Sequence, residues 1–303
     1  MQHEGIVYRN GRFIAWSKAT VHLMSHSFGR GSAIFEIFGF HATSAGRFVF
    51  RLDEHIRRLF KTASLLGMKL PLMSKDMRDA VLKTIRKNPA REGYVKIVAY
   101  YPQVTFDVLP PKATLDLSIF VIPAHGHRDK QRQRRGTTAC VSKWSKLDPR
   151  TVPIEAKAAA QYLNGMLARS EARKRGYDYA ILLDTQGFIA EGSTESVFFV
   201  RNGCLMTACL GTVLDSITRK SLLDLAKEEG IKTCEGRLFP ALLEEAEEIF
   251  FASTPIKILP VRKCGDRMLT CVPGAVTMRL VECVEKILDG QDRRFSFWMT
   301  AVD

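Results

Sequence analysis

Lys157 lies in the segment AKAAAQYLNG, an amine with alanines on either side, just ahead of a run with helical spacing. Alanine neither crowds nor donates. A lysine there is either a snorkelling surface residue or an amine held in a tight, partly dry place for chemistry. Burial lowers the proton affinity of an amine from its ordinary pKa of about 10.4, and only the neutral form attacks a carbonyl carbon to make an imine. The small side chains of Ala158, Ala159 and Ala160 leave room for a flat, bulky ligand, and Tyr162 follows five positions on.

Three further stretches could serve the same chemistry. In AEGSTESVFFV, Glu191 sits where a strand breaks on Gly-Ser-Thr before an apolar strand resumes. Such a carboxylate either caps a turn or, set against a pyridine nitrogen, keeps that nitrogen protonated and makes the ring an electron sink. DSITRKS puts hydroxyls at a helix start, where exposed N–H groups and the positive end of the helix dipole favour an anion such as phosphate. The plain alternative is an ordinary N-cap. DEHIRRL offers Arg57 or Arg58 as a second phosphate clamp, or merely a surface arginine. An imine-forming lysine, a carboxylate for a ring nitrogen and an anion-binding helix start together describe one cofactor, pyridoxal 5'-phosphate.

The elements that must position these groups fall into two parts. At 303 residues with 46% hydrophobic side chains, the chain can build real cores. GIVYRNGRFIAW reads as a hairpin about Asn10-Gly11, FVFRL as a strand after a glycine-containing turn, and LDEHIRRLFKTASLLGM as a helix with Asp53 near its start. GYVKIVAYY and LDLSIFVIP return to strand character. This gives a small α+β domain over residues 1–122. The run HGHRDKQRQRRG has almost no apolar residue, so residues 123–137 are expected to form a solvated basic linker.

Residues 138–303 then read as a larger domain. It has a helix closed by Gly176, an apolar strand through ILLD, strands flanking Asn202-Gly203, a helix capped by Asp215 and Ser216 and stopped at Gly230, a strand pair EEIFFAS and KILPV, and a final helix from about 274 to 289. The fold class is mixed α+β.

The charge of +13 admits nucleic acid, an acidic membrane surface or small anionic ligands as partners, but no interleaved aromatics support a nucleic-acid groove. No apolar run approaches the roughly 18 to 20 residues that span a bilayer, and the first residues lack a signal-peptide pattern, so neither membrane nor export is expected. The seven cysteines are odd in number, scattered and without a CxxC pair. That argues against a disulfide framework and a metal site and for a reducing cytoplasm.

The chain resembles the class IV (fold-type IV) pyridoxal-phosphate aminotransferases, and within them is most similar to the branched-chain amino-acid aminotransferases. The stretches that carry the resemblance are FEIFGF, FRLDEHIRRLFKTASLLGM, GYVKIV, AKAAAQYLNGMLARSEARKRGYDYAILLD, GFIAEGSTESVFFV, VLDSITRKSLLDLAKEEGI, EEIFFASTPIKILPV and PGAVTMRL, in family order over nearly the whole chain. The resemblance implies two domains with the cofactor between them, and a homodimer whose partner completes the site. It makes Lys157 the Schiff-base lysine and proton shuttle. Glu191 would face the ring nitrogen and Tyr162 the phenolic oxygen. Arg58, Ser216, Ile217, Thr218, Ser253 and Thr254 would hold phosphate. It further implies an amino-acid donor and a 2-oxo-acid acceptor.

Departures from the family pattern gather at the substrate side, where Phe35, Tyr94, Lys96 and Pro255 are the expected contacts. Phe35-Glu36-Ile37-Phe38-Gly39 stands for the usual F-E-G-I-R, so an arginine is missing. Lys96 replaces an arginine that could grip a carboxylate bidentately. Pro255, in Ser253-Thr254-Pro255 for G-T-A, has no N–H to offer, and Glu195-Ser196 replaces E-N. D-amino-acid aminotransferases carry an Arg-x-His pair that AYYPQVTFD lacks, and aminodeoxychorismate lyases share the lysine and phosphate cup. A basic nucleic-acid-binding protein on a disused enzyme fold is the more distant alternative.

Overall fold

A computed structural model describes residues 4–124 and 130–303. The described residues divide into two units: 4–124 with 156–160 and 286–303, and 130–155 with 161–285.

The first unit is built on an antiparallel seven-stranded sheet in the order Met299–Ala301, Gly46–Phe50, Ile34–Thr43, Gly93–Tyr100, Asp116–Pro123, Ile6–Arg9, Arg12–Ala15. The expected Asn10-Gly11 hairpin is there, with both residues at positive φ (45° and 88°), as the tight two-residue turn requires. Alternation decides the faces. Ile34, Glu36, Phe38, Val95 and Ile97 point to a core shared with Leu52, Ile56, Leu59, Met77, Val81 and Ile85 of the helices Leu52–Leu65 and Ser74–Arg86. Phe35, Ile37, Tyr94 and Lys96 take the opposite face and stay half-buried. The Ser74–Arg86 helix was not anticipated, although Met77, Val81 and Ile85 follow its period.

Two segments expected in the second domain belong to this first unit. Ala158 bridges antiparallel to Ile34, and Phe35 donates its N–H to the Lys157 carbonyl (3.1 Å), so the strip 156–160 lies along a strand end. Met299–Ala301 pairs with Gly46–Phe50 and forms the sheet edge. Short pieces distant in sequence carry no periodicity that would announce such pairings.

In the second unit a nine-stranded mixed sheet curls on itself. Ile189–Gly192 pairs with Tyr179–Leu183 on one side and, through Glu191 opposite Ser196, with Ser196–Arg201 on the other. The run Ser196–Arg201, Glu248–Ser253, Lys257–Cys264, Thr137–Val141, Tyr179–Leu183, Ile189–Gly192 therefore closes into a ring, which removes its free edges. Val197, Phe199, Ile181, Ile189, Leu259 and Val261 fill it, with Tyr179 and Phe251 stacked at 5.0 Å. The ring is a closed form of the mixed sheet expected from the sequence. Of the expected linker, residues 125–129 lie outside the described residues. Lys130–Arg135 form a short helix against the strand Lys257–Cys264, so that half is part of the fold.

Candidate active site

In the first unit, Lys157 is only 7% exposed. Its N–H donates to Thr62 Oγ1 (3.1 Å), its carbonyl is taken by Phe35, and Ala159 donates to the Ala33 carbonyl (2.8 Å), so its backbone is fixed on three sides. Its Nζ stands over the Phe35 ring, 4.9 Å from the centroid, and Lys96 Nζ approaches the same ring at 5.3 Å. Phe35, Lys96 and Lys157 thus form one group. Tyr94 shares the face of Lys96 two residues away, and burial followed by the nearby Glu92 charge pushes its phenol up to about 12.

Of the two arginines in DEHIRRL, Arg57 is exposed and Arg58 buried. Arg58 donates from Nε and Nη2 to the two oxygens of Glu36 (2.7 and 2.8 Å), and His55 Nδ1 meets the same carboxylate at 2.8 Å. Burial of Glu36 raises its pKa, but the Arg58 charge and hydrogen bonds, aided by His55, outweigh it and leave the carboxyl at about 2. Burial depresses His55 to about 4, against the pull of Glu36. At neutral pH the trio is a carboxylate, a guanidinium and a neutral imidazole. The sequence reading did not assign Glu36 or His55. The His-x-x-Arg spacing, which sets both side chains on one helix face, was the available signal.

The second unit holds the other set. Glu191 is 8% exposed and sits at the pair that closes the ring. Leu214 N–H donates to its Oε2 (3.2 Å), and Lys146 pairs with its Oε1. Lys146 had no sequence signal beyond being one basic residue among many. Leu214 leads into Asp215 and the helix Ile217–Glu228, whose cap Ser216 accepts from Arg219 N–H (3.2 Å). Among the described residues the N–H groups of Ile217 and Thr218 find no acceptor, which leaves two donors at the positive end of a twelve-residue helix.

The register row Glu191, Ser196, Ala252 brings Ser253 to the same end of the sheet, two strands or about 10 Å across. Thr254 and the exposed Pro255 form the turn that follows. Tyr162 begins the helix Tyr162–Lys174, beside the loop Ser193–Glu195. Gly165 of that helix touches Ser193 so closely that a Cβ would enter its carbonyl. Glu195 is not a spare acid: it accepts from Arg169 (2.8 Å) and from the Thr194 N–H (3.0 Å) and hydroxyl (2.8 Å).

A buried carboxylate beside a helix start with unclaimed N–H donors suits a ligand that is cationic at one end and anionic at the other. The donor set therefore fits a phosphorylated nitrogen heterocycle; among the described residues no group of three or more His, Cys, Asp or Glu side chains is placed to hold a metal ion. Nor is any described helix long and apolar enough to cross a membrane. An enzyme working with an organic phosphate cofactor is the class that such groups define.

Residues 33–264 match the family model described as amino-transferase class IV. The chain is 32% identical over 300 residues to the branched-chain-amino-acid aminotransferase of Salmonella typhimurium, covering 98% of this chain and 97% of that one. It superposes on the branched-chain aminotransferase of Thermoproteus uzoniensis with norvaline at a TM-score of 0.94 and 31% identity, over 99% of this chain and 100% of that one. On the holo-form, in PLP form, of the Thermobaculum terrenum enzyme it superposes at 0.93 and 30%, over 100% of both. The chain belongs to the class IV aminotransferases, and it is an enzyme of that amino-transferring kind.

Proposed function

We propose that this chain is a pyridoxal-phosphate-dependent aminotransferase that takes the amino group from hydrophobic, branched-chain L-amino acids and passes it to 2-oxo acids such as 2-oxoglutarate. The observation that carries the reading is the amine of Lys157, buried over an aromatic ring by a backbone fixed on three sides. When bound, the cofactor supplies an aldehyde that bonds to amines and a ring that accepts electrons from the neighbouring carbon. The protein's own residues do the rest. Lys157 carries the cofactor at rest and, once displaced by the donor, moves a proton from the amino acid's α carbon as general base and returns it as general acid. Glu191 holds a proton at the ring nitrogen, and Tyr162 meets the phenolic oxygen.

Phosphate falls to the N–H groups of Ile217 and Thr218 with Ser216, to Ser253 and Thr254, and to Arg58, which Glu36 keeps in one orientation. Phe35, Tyr94 and Lys96 offer a half-buried face of mixed apolar and cationic character to the substrate, and Pro255 shapes its surroundings without an N–H. Seven free thiols support a cytoplasmic location.

A homodimer is supported by an apolar patch in the first unit. Arg30 and His26 tie the 20–30 segment to the carbonyls of Phe106 and Val108 (3.0 and 2.9 Å). The patch they hold leaves Leu23, Phe28, Phe106, Val108 and Leu109 at least 68% exposed. Contiguous apolar surface of this kind marks an interface. Single-turnover spectra with a panel of amino acids test the substrate assignment. Leucine, isoleucine and valine in the L form convert the bound cofactor to its amine form; conversion by D-amino acids alone would overturn the assignment.

A further inference from the structure

The contact between Lys146 and Glu191 carries a consequence for cofactor binding that rests on the reading just proposed. Both side chains are 11% exposed, so their attraction is little screened. The ammonium is placed by the backbone: Lys146 N–H donates to the Leu183 carbonyl (2.7 Å), and Asn164 Nδ2 holds the preceding Ser145 carbonyl (2.9 Å). The carboxylate is placed as firmly, by strand closure opposite Ser196 and by the Leu214 N–H. A carboxylate with one cation already on Oε1 is therefore the same group that must receive a protonated ring nitrogen. Two cations on one carboxylate compete, and what the second gains is reduced by the presence of the first.

We propose that Lys146 is a positioning residue that holds Glu191 in place without the cofactor, and competes with the cofactor's ring nitrogen for that carboxylate. Lys146 then stabilises the cofactor-free protein more than the loaded one. By reciprocity, removing it destabilises the empty protein while strengthening the grip of Glu191 on the ring. A lysine that served only to hold the 142–146 segment against the strand Tyr179–Leu183 would stabilise both forms alike.

The test is a double-mutant cycle on pyridoxal 5'-phosphate affinity, measured by titrating cofactor-free protein, with thermal unfolding of empty and loaded forms alongside. The cycle cancels any general effect of Lys146 on the anionic phosphate. The effect of Lys146→Met on affinity is expected to be more favourable, by about fivefold or more, with Glu191 present than in the Glu191→Gln background. Loading should also raise Tm by a larger increment in Lys146→Met than in the wild type, and Lys146→Arg should behave as wild type. An additive cycle, with equal Tm increments, overturns the proposal. Should Lys146→Met fail to fold, Lys146→Gln, neutral and hydrogen-bonding, is read in the same way. Wild-type protein that takes up no cofactor sinks the transaminase reading itself; normal wild-type uptake with an additive cycle sinks only the role of Lys146.

Discussion

Replacing Glu36 by glutamine removes one charge from the Glu36–Arg58–His55 trio while keeping its size. Glu36 is fully buried and takes both donors of Arg58 together with His55. A carboxyl at about 2, against an ordinary 4.5, corresponds to about 3 kcal/mol in favour of the folded, ionised form. Removing one partner of a buried ion pair costs roughly 3 to 5 kcal/mol by an independent route, so the two lines agree in scale. Spread over a domain of this size, 3 kcal/mol lowers Tm by roughly 6 to 12 °C. Thermal unfolding of cofactor-free Glu36→Gln at pH 7 measures it. Because the pKa of Glu36 is lowered on folding, its contribution is complete above about 4.5 and disappears only as the pH falls through about 2. The gap between variant and wild type should therefore persist at pH 5. A loss of less than about 2 °C at pH 7 would refute the reasoning, because it would mean that Arg58 does not depend on Glu36 for its charge balance.

His55, depressed by burial from 6.5 to about 4, gains protons in the unfolded chain before the folded one, so stability should fall as the pH drops from 6.5 towards 4. In His55→Gln that part of the acid sensitivity disappears, as a pH series of unfolding curves would register. Gly165→Ala should destabilise by about 1 to 3 kcal/mol even though alanine is the better helix former, since its Cβ would enter the Ser193 carbonyl; a stabilised variant would show that the helix and loop can part.

The fold was legible wherever periodicity or turn chemistry is local. Asn10-Gly11, the Gly176 and Gly230 helix stops and the Ser216 cap all stand where the sequence placed them. Closure of the second sheet was not, because the pairing of Glu191 with Ser196 depends on the curl of a whole sheet. The same limit applies to the strip 156–160, which joins the first unit through Ile34 and Phe35, residues more than a hundred positions away. Among the proposed site residues, Lys157, Glu191 and the hydroxyl-rich DSITRKS helix start announce themselves by neighbours close in sequence. Lys146 and Glu36 become visible only through what they touch, since an isolated charge in a sequence does not name its partner. The substrate side was the least legible. Lys96 and Pro255 depart from the family pattern, and one lysine beside one phenylalanine ring does not specify a side chain.

Bonding of the position-157 amine to the cofactor can be tested directly by trapping it. Wild-type protein loaded with pyridoxal 5'-phosphate, reduced with borohydride and digested should carry the cofactor's mass on the peptide containing Lys157. Lys157→Ala treated identically should be colourless and unlabelled. Label on another lysine of the wild type, or a visible band that survives in Lys157→Ala, would contradict the account.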